Sequence, residues 1–138
     1  MKEYSLIWND ALHSIGVAAL DSQHREIVKL VNQITDAIAN GSISGALERL
    51  VNDLISVSRA HFVLEQELMA EYGFPELHGH VQEHLDLLQQ LDNLYDDIVG
   101  SRRERAELIA AFLGDWTEKH ILNADKVLGN FLVAAGLS

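Results

Sequence analysis

Seven histidines stand in a chain of 138 residues that has no cysteine. Several fall at spacings that let imidazoles share a target. His61 and Glu65 are four residues apart, as are His80 and His84. Side chains at that spacing leave the same face of a helix. His120 and Asp125 are five apart, about 140° on a regular α-helix. A shared target then requires a local distortion such as a π-bulge, or approach from two sides. Each of these groups lies on an apolar stripe. His24 continues Ile27, Val28 and Val31; His61 and Glu65 continue Leu54, Val57 and Leu68; His80 and His84 are in register with Leu77, Val81, Leu87 and Leu88; His120 follows Phe112, Leu113 and Trp116. Burying ionisable groups without partners is costly, and one partner that accepts many at once is a metal. Imidazole mixed with carboxylate suits iron or manganese better than calcium or magnesium. Five imidazoles, two bridging carboxylates and one bridging oxygen fill all but one position of two six-coordinate ions. Such a site binds a small molecule such as O2.

Other metal chemistries fit less well. The carboxylate-rich di-metal template of helical bundles places Glu three residues before His, and no histidine here has one. The His-Glu-x-x-His protease motif is missing too. A histidine-rich shell with two acids carries less negative charge than a carboxylate-rich one. It favours a diferrous resting state and reversible oxygen binding over oxidation chemistry. His13 precedes the first helix, and His78 is two residues from His80, about 200° round the helix; neither is expected to be a ligand.

The elements that must position these residues read as four helices. The expected spans are Ala18–Ala39, Ile43–Tyr72, Glu76–Val99 and Ser101–Leu128, punctuated by Asn40-Gly41-Ser42, Gly73-Phe74-Pro75, Gly100 and Gly129. Ser101 and Glu104 read as a capping box opening the fourth. Short connections predict an all-α, antiparallel up-down-up-down four-helix bundle forming one domain over residues 1–138. The first seventeen residues, with Tyr4, Leu6, Ile7, Trp8 and Leu12, read as an arm packed on the bundle. Gly79 and Gly114, inside helices, read as close helix contacts. Arg102, Arg103 and Arg105 read as a solvated helix start, oddly placed for the helix dipole.

Composition removes whole classes of function. Lacking cysteine, the chain has no disulfide scaffold, thiolate zinc site, thiolate-held iron–sulfur cluster or thiol nucleophile. A formal charge of −11 disfavours nucleic acid and anionic membrane surfaces as partners. No apolar run approaches a membrane span, and the N-terminus does not read as a secretory signal, so a cytoplasmic protein is expected.

Taken together, Trp8, Ser14-Ile15-Gly16-Val17, Leu20-Asp21-Ser22-Gln23-His24, His61-Phe62-x-x-Glu65 with Met69, Gly73-Phe74-Pro75, His80-x-x-x-His84 and Trp116-x-x-x-His120-Ile121-x-x-x-Asp125 resemble the hemerythrins, in particular the single-domain bacterial ones. The resemblance spans nearly the whole chain. It implies a non-haem di-iron centre with a bridging oxo or hydroxo group. One iron would be held by His80, His84 and His120, and the other, with the open position, by His24 and His61. Glu65 and Asp125 would bridge them. In that family O2 binds end-on at the five-coordinate iron and is held as hydroperoxide, reversibly. Phe62, Trp116 and Thr117 would fall at the oxygen pocket, although Phe62 and Trp116 serve equally as ordinary core.

The chain also departs from the family. Thr117 stands where leucine is usual, and its hydroxyl would hydrogen-bond a bound ligand, admit water or speed autoxidation. Gln66 follows Glu65 where the family often has Glu, and an aromatic expected near Val127 and Leu128 is missing. The expected function is oxygen storage, delivery or buffering, not enzymatic. The alternatives are a sensor of O2, NO or redox state acting through a partner protein, and a di-iron oxidase or peroxidase.

Overall fold

The computed structural model describes residues 8–41 and 45–138. Tyr4, Leu6 and Ile7 of the expected arm, and the expected helix start at Ile43, lie outside them. A short helix α1, Asp10–His13, precedes four long ones: α2, Ala18–Ala39; α3, Gly45–Tyr72; α4, Leu77–Val99; and α5, Arg103–His120. A π-helical turn, Ile121–Asp125, then leads into α6, Lys126–Ala134. α2 packs on α3 and α5, and α4 packs on the same two, which closes a four-helix bundle. Among the described residues, no helix is long and apolar enough to cross a membrane.

The apolar stripes bury in two large clusters, with Val28 of α2 buried apart from them against Trp8. One gathers Ile27, Val31, Ile34 and Ile38 of α2 with Leu47, Val51 and Leu54 of α3, Leu87, Leu91 and Leu94 of α4 and Leu113 of α5. The other gathers Ile15, Val17 and Leu20 with Met69, Phe74, Leu128 and Leu132. On every long helix the polar residues of interest fall between the two. His24 lies between Leu20 and Ile27, Glu65 between Phe62 and Met69, His80 and His84 between Phe74 and Leu87, and Asp125 between Leu113 and Leu128. The apolar ends thus frame a buried polar layer.

The helix ends show how local chemistry sets these positions. Gly73, at φ +70°, takes the left-handed conformation that closes α3, and the Phe74 amide bonds the Met69 carbonyl at 2.9 Å. The same geometry ends α4 through Ser101, at φ +56°, with the Arg102 amide bonding the Asp97 carbonyl. Ser101 therefore closes α4 and does not cap α5, contrary to the capping-box reading. Of the three arginines at that point, Arg103 and Arg105 are exposed as expected of a solvated helix start, and Arg102 turns back to α4. Its Nε donates to Asp97 Oδ1 at 2.8 Å and its Nη2 to the Asp96 carbonyl at 2.9 Å, so its charge serves the negative end of α4.

Gly129 does not end the last helix, which continues to Ala134. Its value is closeness. A Cβ there would lie 2.3 Å from the Ile15 carbonyl oxygen and 2.5 Å from Ile15 Cβ. At Gly79, by contrast, a Cβ would meet nothing within 4 Å, so this glycine makes no close helix contact. The arm is tied down at Ile15 by more than shape. Asp21 accepts from Ser14 Oγ at 2.6 Å and from the Ile15 amide at 2.9 Å, and Lys126 Nζ donates to the Ser14 carbonyl at 2.7 Å. Gly129→Ala improves helix propensity yet drives a methyl into backbone. It is expected to lower stability by about 1–3 kcal/mol, read from urea unfolding followed by circular dichroism.

Candidate metal centre

Two fully buried carboxylates organise the polar layer. Glu65 projects from the middle of α3, one turn after His61, and Asp125 closes the π turn that follows His120. The extra residue of the π turn resolves the five-residue spacing and brings Asp125 back to the side that His120 faces. Each carboxylate turns its two oxygens to different imidazoles. Glu65 Oε1 lies 3.1 Å from His80 Nε2 and 2.9 Å from His84 Nε2, and Asp125 Oδ1 lies 2.9 Å from the Nε2 atoms of both His80 and His120. Glu65 Oε2 lies 3.3 Å from His61 Nε2, and Asp125 Oδ2 lies 2.7 Å from His24 Nε2.

The result is two adjoining ligand groups with the acids in common. Glu65, His80, His84, His120 and Asp125 form one; His24, His61, Glu65 and Asp125 form the other. Neighbouring ligands of an ion about 2.1 Å away stand about 3 Å apart, the scale seen here. The seven side chains expected from sequence as ligands therefore converge. His78 is exposed, and His13 is buried in the arm, where its Nδ1 accepts the Asn9 amide at 2.9 Å; neither joins the cluster.

Hydrogen bonding supports a metal as the missing partner. Among the described residues, every buried side-chain nitrogen or oxygen without a hydrogen-bond partner belongs to this cluster, Ser58 Oγ excepted. They include both ring nitrogens of His84, Nε2 of His61 and His120, Glu65 Oε2 and Asp125 Oδ1. A native interior rarely tolerates so many orphaned groups in one place. Two rings are also held in the tautomer that leaves Nε2 free. His61 Nδ1 donates to Gln23 Oε1 at 2.6 Å, and His120 Nδ1 donates to Glu83 Oε1 at 3.3 Å. Sequence reasoning missed Gln23 and Glu83. Each directly precedes a histidine of the cluster and contacts a ring on another helix, so helix packing, not spacing, assigns them.

Three aromatic rings brace the imidazoles. Phe62 stacks on His84 at 3.8 Å, Trp116 stacks on His120 at 4.4 Å, and Phe74 meets His80 edge-on at 6.1 Å. Phe62 also lies 5.7 Å from His61 and so touches both groups. Trp116 instead lines an open cleft of about 770 Å³ that reaches His80 and His120, on the three-histidine side. Thr117 is buried, and its hydroxyl donates to the Leu113 carbonyl at 2.7 Å. Its proton is already committed within α5.

This architecture and its two-lobed cluster define a metal-binding four-helix bundle. The sequence model described as the hemerythrin HHE cation binding domain matches residues 15–132, and the chain belongs to that family. Members of the family bind oxygen and are not enzymes; their metal is iron. Similar proteins include bacteriohemerythrin of Methylococcus capsulatus, 28% identical over 129 residues, covering 94% of this chain and 98% of that one. Bacteriohemerythrin of Pseudomonas aeruginosa strain LESB58 is 26% identical over 120 residues, covering 87% and 76%. A crystal structure of wild-type hemerythrin superposes with a TM-score of 0.81 at 27% identity, covering 92% of this chain and 97% of that one.

In the apoprotein, protons take the metal's place. Burial pushes His61 down, but the Glu65 and Asp125 carboxylates that face its Nε2 outweigh it and raise its pKa to about 9. Burial is outweighed in the same way at His80, raised to about 10 by the Asp125 and Glu65 carboxylates at its Nε2. His120 rises too, chiefly through the charge of Asp125 against its burial. His84 is lowered, by burial first. Glu65 and Asp125 are held low despite burial by the facing imidazoles. A raised histidine stabilises the fold below its ordinary 6.5 and stops doing so as pH climbs through its folded value. The apoprotein is therefore expected to lose stability between about pH 6 and about pH 10, measured by thermal unfolding. Metal uptake near neutral pH should release protons from His61 and His80, read with an indicator dye in weak buffer.

Proposed function

We propose that this chain, as one domain, holds two irons and binds O2 reversibly for storage, delivery or buffering. His80, His84 and His120 would hold one iron, His24 and His61 the other, with Glu65 and Asp125 bridging. The observation that carries the reading is the division of each buried carboxylate between the two imidazole groups, since a bridge needs one oxygen for each ion. Three imidazoles on one side and two on the other support an open position at the ion held by His24 and His61. Such a pair of ferrous ions supplies the electrons for reversible O2 binding.

The chain's own residues supply the setting. Apolar clusters on both sides of the polar layer keep bulk water away, and all seven proposed ligands are at most 5% exposed. His61 and His120 are oriented by Gln23 and Glu83, while Phe62 and Trp116 fix ring planes by stacking. Sensing through a partner protein is a second reading, supported by the open cleft that meets His80 and His120.

Iron analysis of the loaded protein should give two ions per chain. Anaerobic reduction followed by O2 should produce a visible charge-transfer band that disappears on deoxygenation. Rapid passage to a stable diferric form would favour sensing instead. Asp125→Ala, which removes a shared ligand, should lose both ions, whereas His84→Ala should weaken one more than the other. Because the Thr117 proton is committed to Leu113, Thr117→Val should change autoxidation little. A large change would show that the hydroxyl acts on the bound ligand.

A further inference from the structure

The two imidazoles that donate from Nδ1 do so to acceptors of different charge. His61 donates to the neutral amide of Gln23 at 2.6 Å, and His120 donates to the carboxylate of Glu83 at 3.3 Å. Gln23 lies on α2 and serves a ring of α3; Glu83 lies on α4 and serves a ring of α5. The two contacts also fall in different ligand groups, because only His120 belongs with His80 and His84. The surroundings differ as well. His61 and His120 are both buried, but the Glu83 side chain is 47% exposed and stands in the open cleft beside Trp116.

An acceptor on the far nitrogen of a ligating imidazole fixes the ring's tautomer and orientation and raises its basicity. At equal distance a carboxylate does this more strongly than an amide; here the charged acceptor stands farther off, 3.3 Å against 2.6 Å, so the two rings are held by different combinations of charge and closeness. From this asymmetry we infer that Glu83 is a positioning residue: it holds His120 with Nε2 toward Asp125 and tunes the three-histidine position separately from the two-histidine one. Gln23 is its uncharged counterpart at His61. The consequence is that the two metal positions are not equivalent even apart from their histidine count, and the difference is set by two residues that touch no metal. Removing the Glu83 charge should weaken one position and leave the other nearly as it was. The inference rests on the proposed two-metal reading, but its first test does not need metal.

That test is proton NMR of the apoprotein. The His120 Nδ1 proton should resonate far downfield and exchange slowly. Glu83→Gln should keep it protected but move it upfield, and Glu83→Ala should lose it to exchange with water. A rapidly exchanging His120 Nδ1 proton in the wild type would overturn the inference. The second test is titration with cobalt(II), whose visible spectrum reports each position. The wild type should take up two ions, and failure there would strike the two-metal reading itself. Glu83→Ala should weaken one of the two by about 10–100-fold, with partial rescue in Glu83→Gln, while Gln23→Ala should act on the other position. Equal weakening of both positions, or of neither, would overturn the inference. If Glu83→Ala fails to fold, Glu83→Gln alone decides between one-sided loss and none.

Discussion

The structure depends on the desolvation of Glu65 and Asp125. Both carboxylates are fully buried, and a buried charge without compensation is among the most destabilising features a fold can carry. Their compensation comes from five imidazoles on four helices. No one helix can satisfy either acid, so the polar layer holds the bundle together only when all four helices are in place. The apolar clusters at either end then act as seals. They supply the hydrophobic stabilisation that lets the middle layer be polar, and they keep water from competing for the acids.

The same arrangement explains how one layer can be read by protons or by metal. With protons, His61, His80 and His120 are favoured as cations that pair with the two carboxylates. With metal, the same imidazole nitrogens and carboxylate oxygens would be the donors, since they already lie within reach of one another. Orphaned atoms such as both ring nitrogens of His84 show that proton pairing is incomplete: burial lowers this ring, and one carboxylate oxygen facing it cannot restore it. Metal-ready geometry and imperfect proton pairing are two descriptions of the same packing.

Much of this was legible in the sequence, and the reason is periodicity. Residues four apart on a helix share a face whatever the tertiary structure does, so His61 with Glu65 and His80 with His84 could be paired at once. The five-residue gap from His120 to Asp125 even pointed to the π turn. The errors lie where a residue's local preference is overridden by a neighbour distant in sequence. Gly129 looks like a helix stop, but it serves the approach of Ile15; Ser101 looks like a cap for the following helix, but it closes the preceding one. Gly79 looks like a packing contact and meets nothing. Gln23 and Glu83 were out of reach for a related reason: whether a side chain on the flank of one helix touches a ring on the next depends on crossing geometry that no single-helix pattern encodes.

The π turn has a further implication for the helix that carries it. Ile121–Asp125 departs from regular helical winding by one residue, and that surplus aims the acid inward. Rewinding the same residues as a regular α-helix would yield a smoother, intrinsically better helix, while leaving Asp125 about 140° from His120 and outside the layer. Thermodynamic tidiness and chemical competence pull in opposite directions at that point. A regular helix would offer an acid on that face from the fourth residue after His120, so the surplus winding and the five-residue spacing work as one feature of the buried layer.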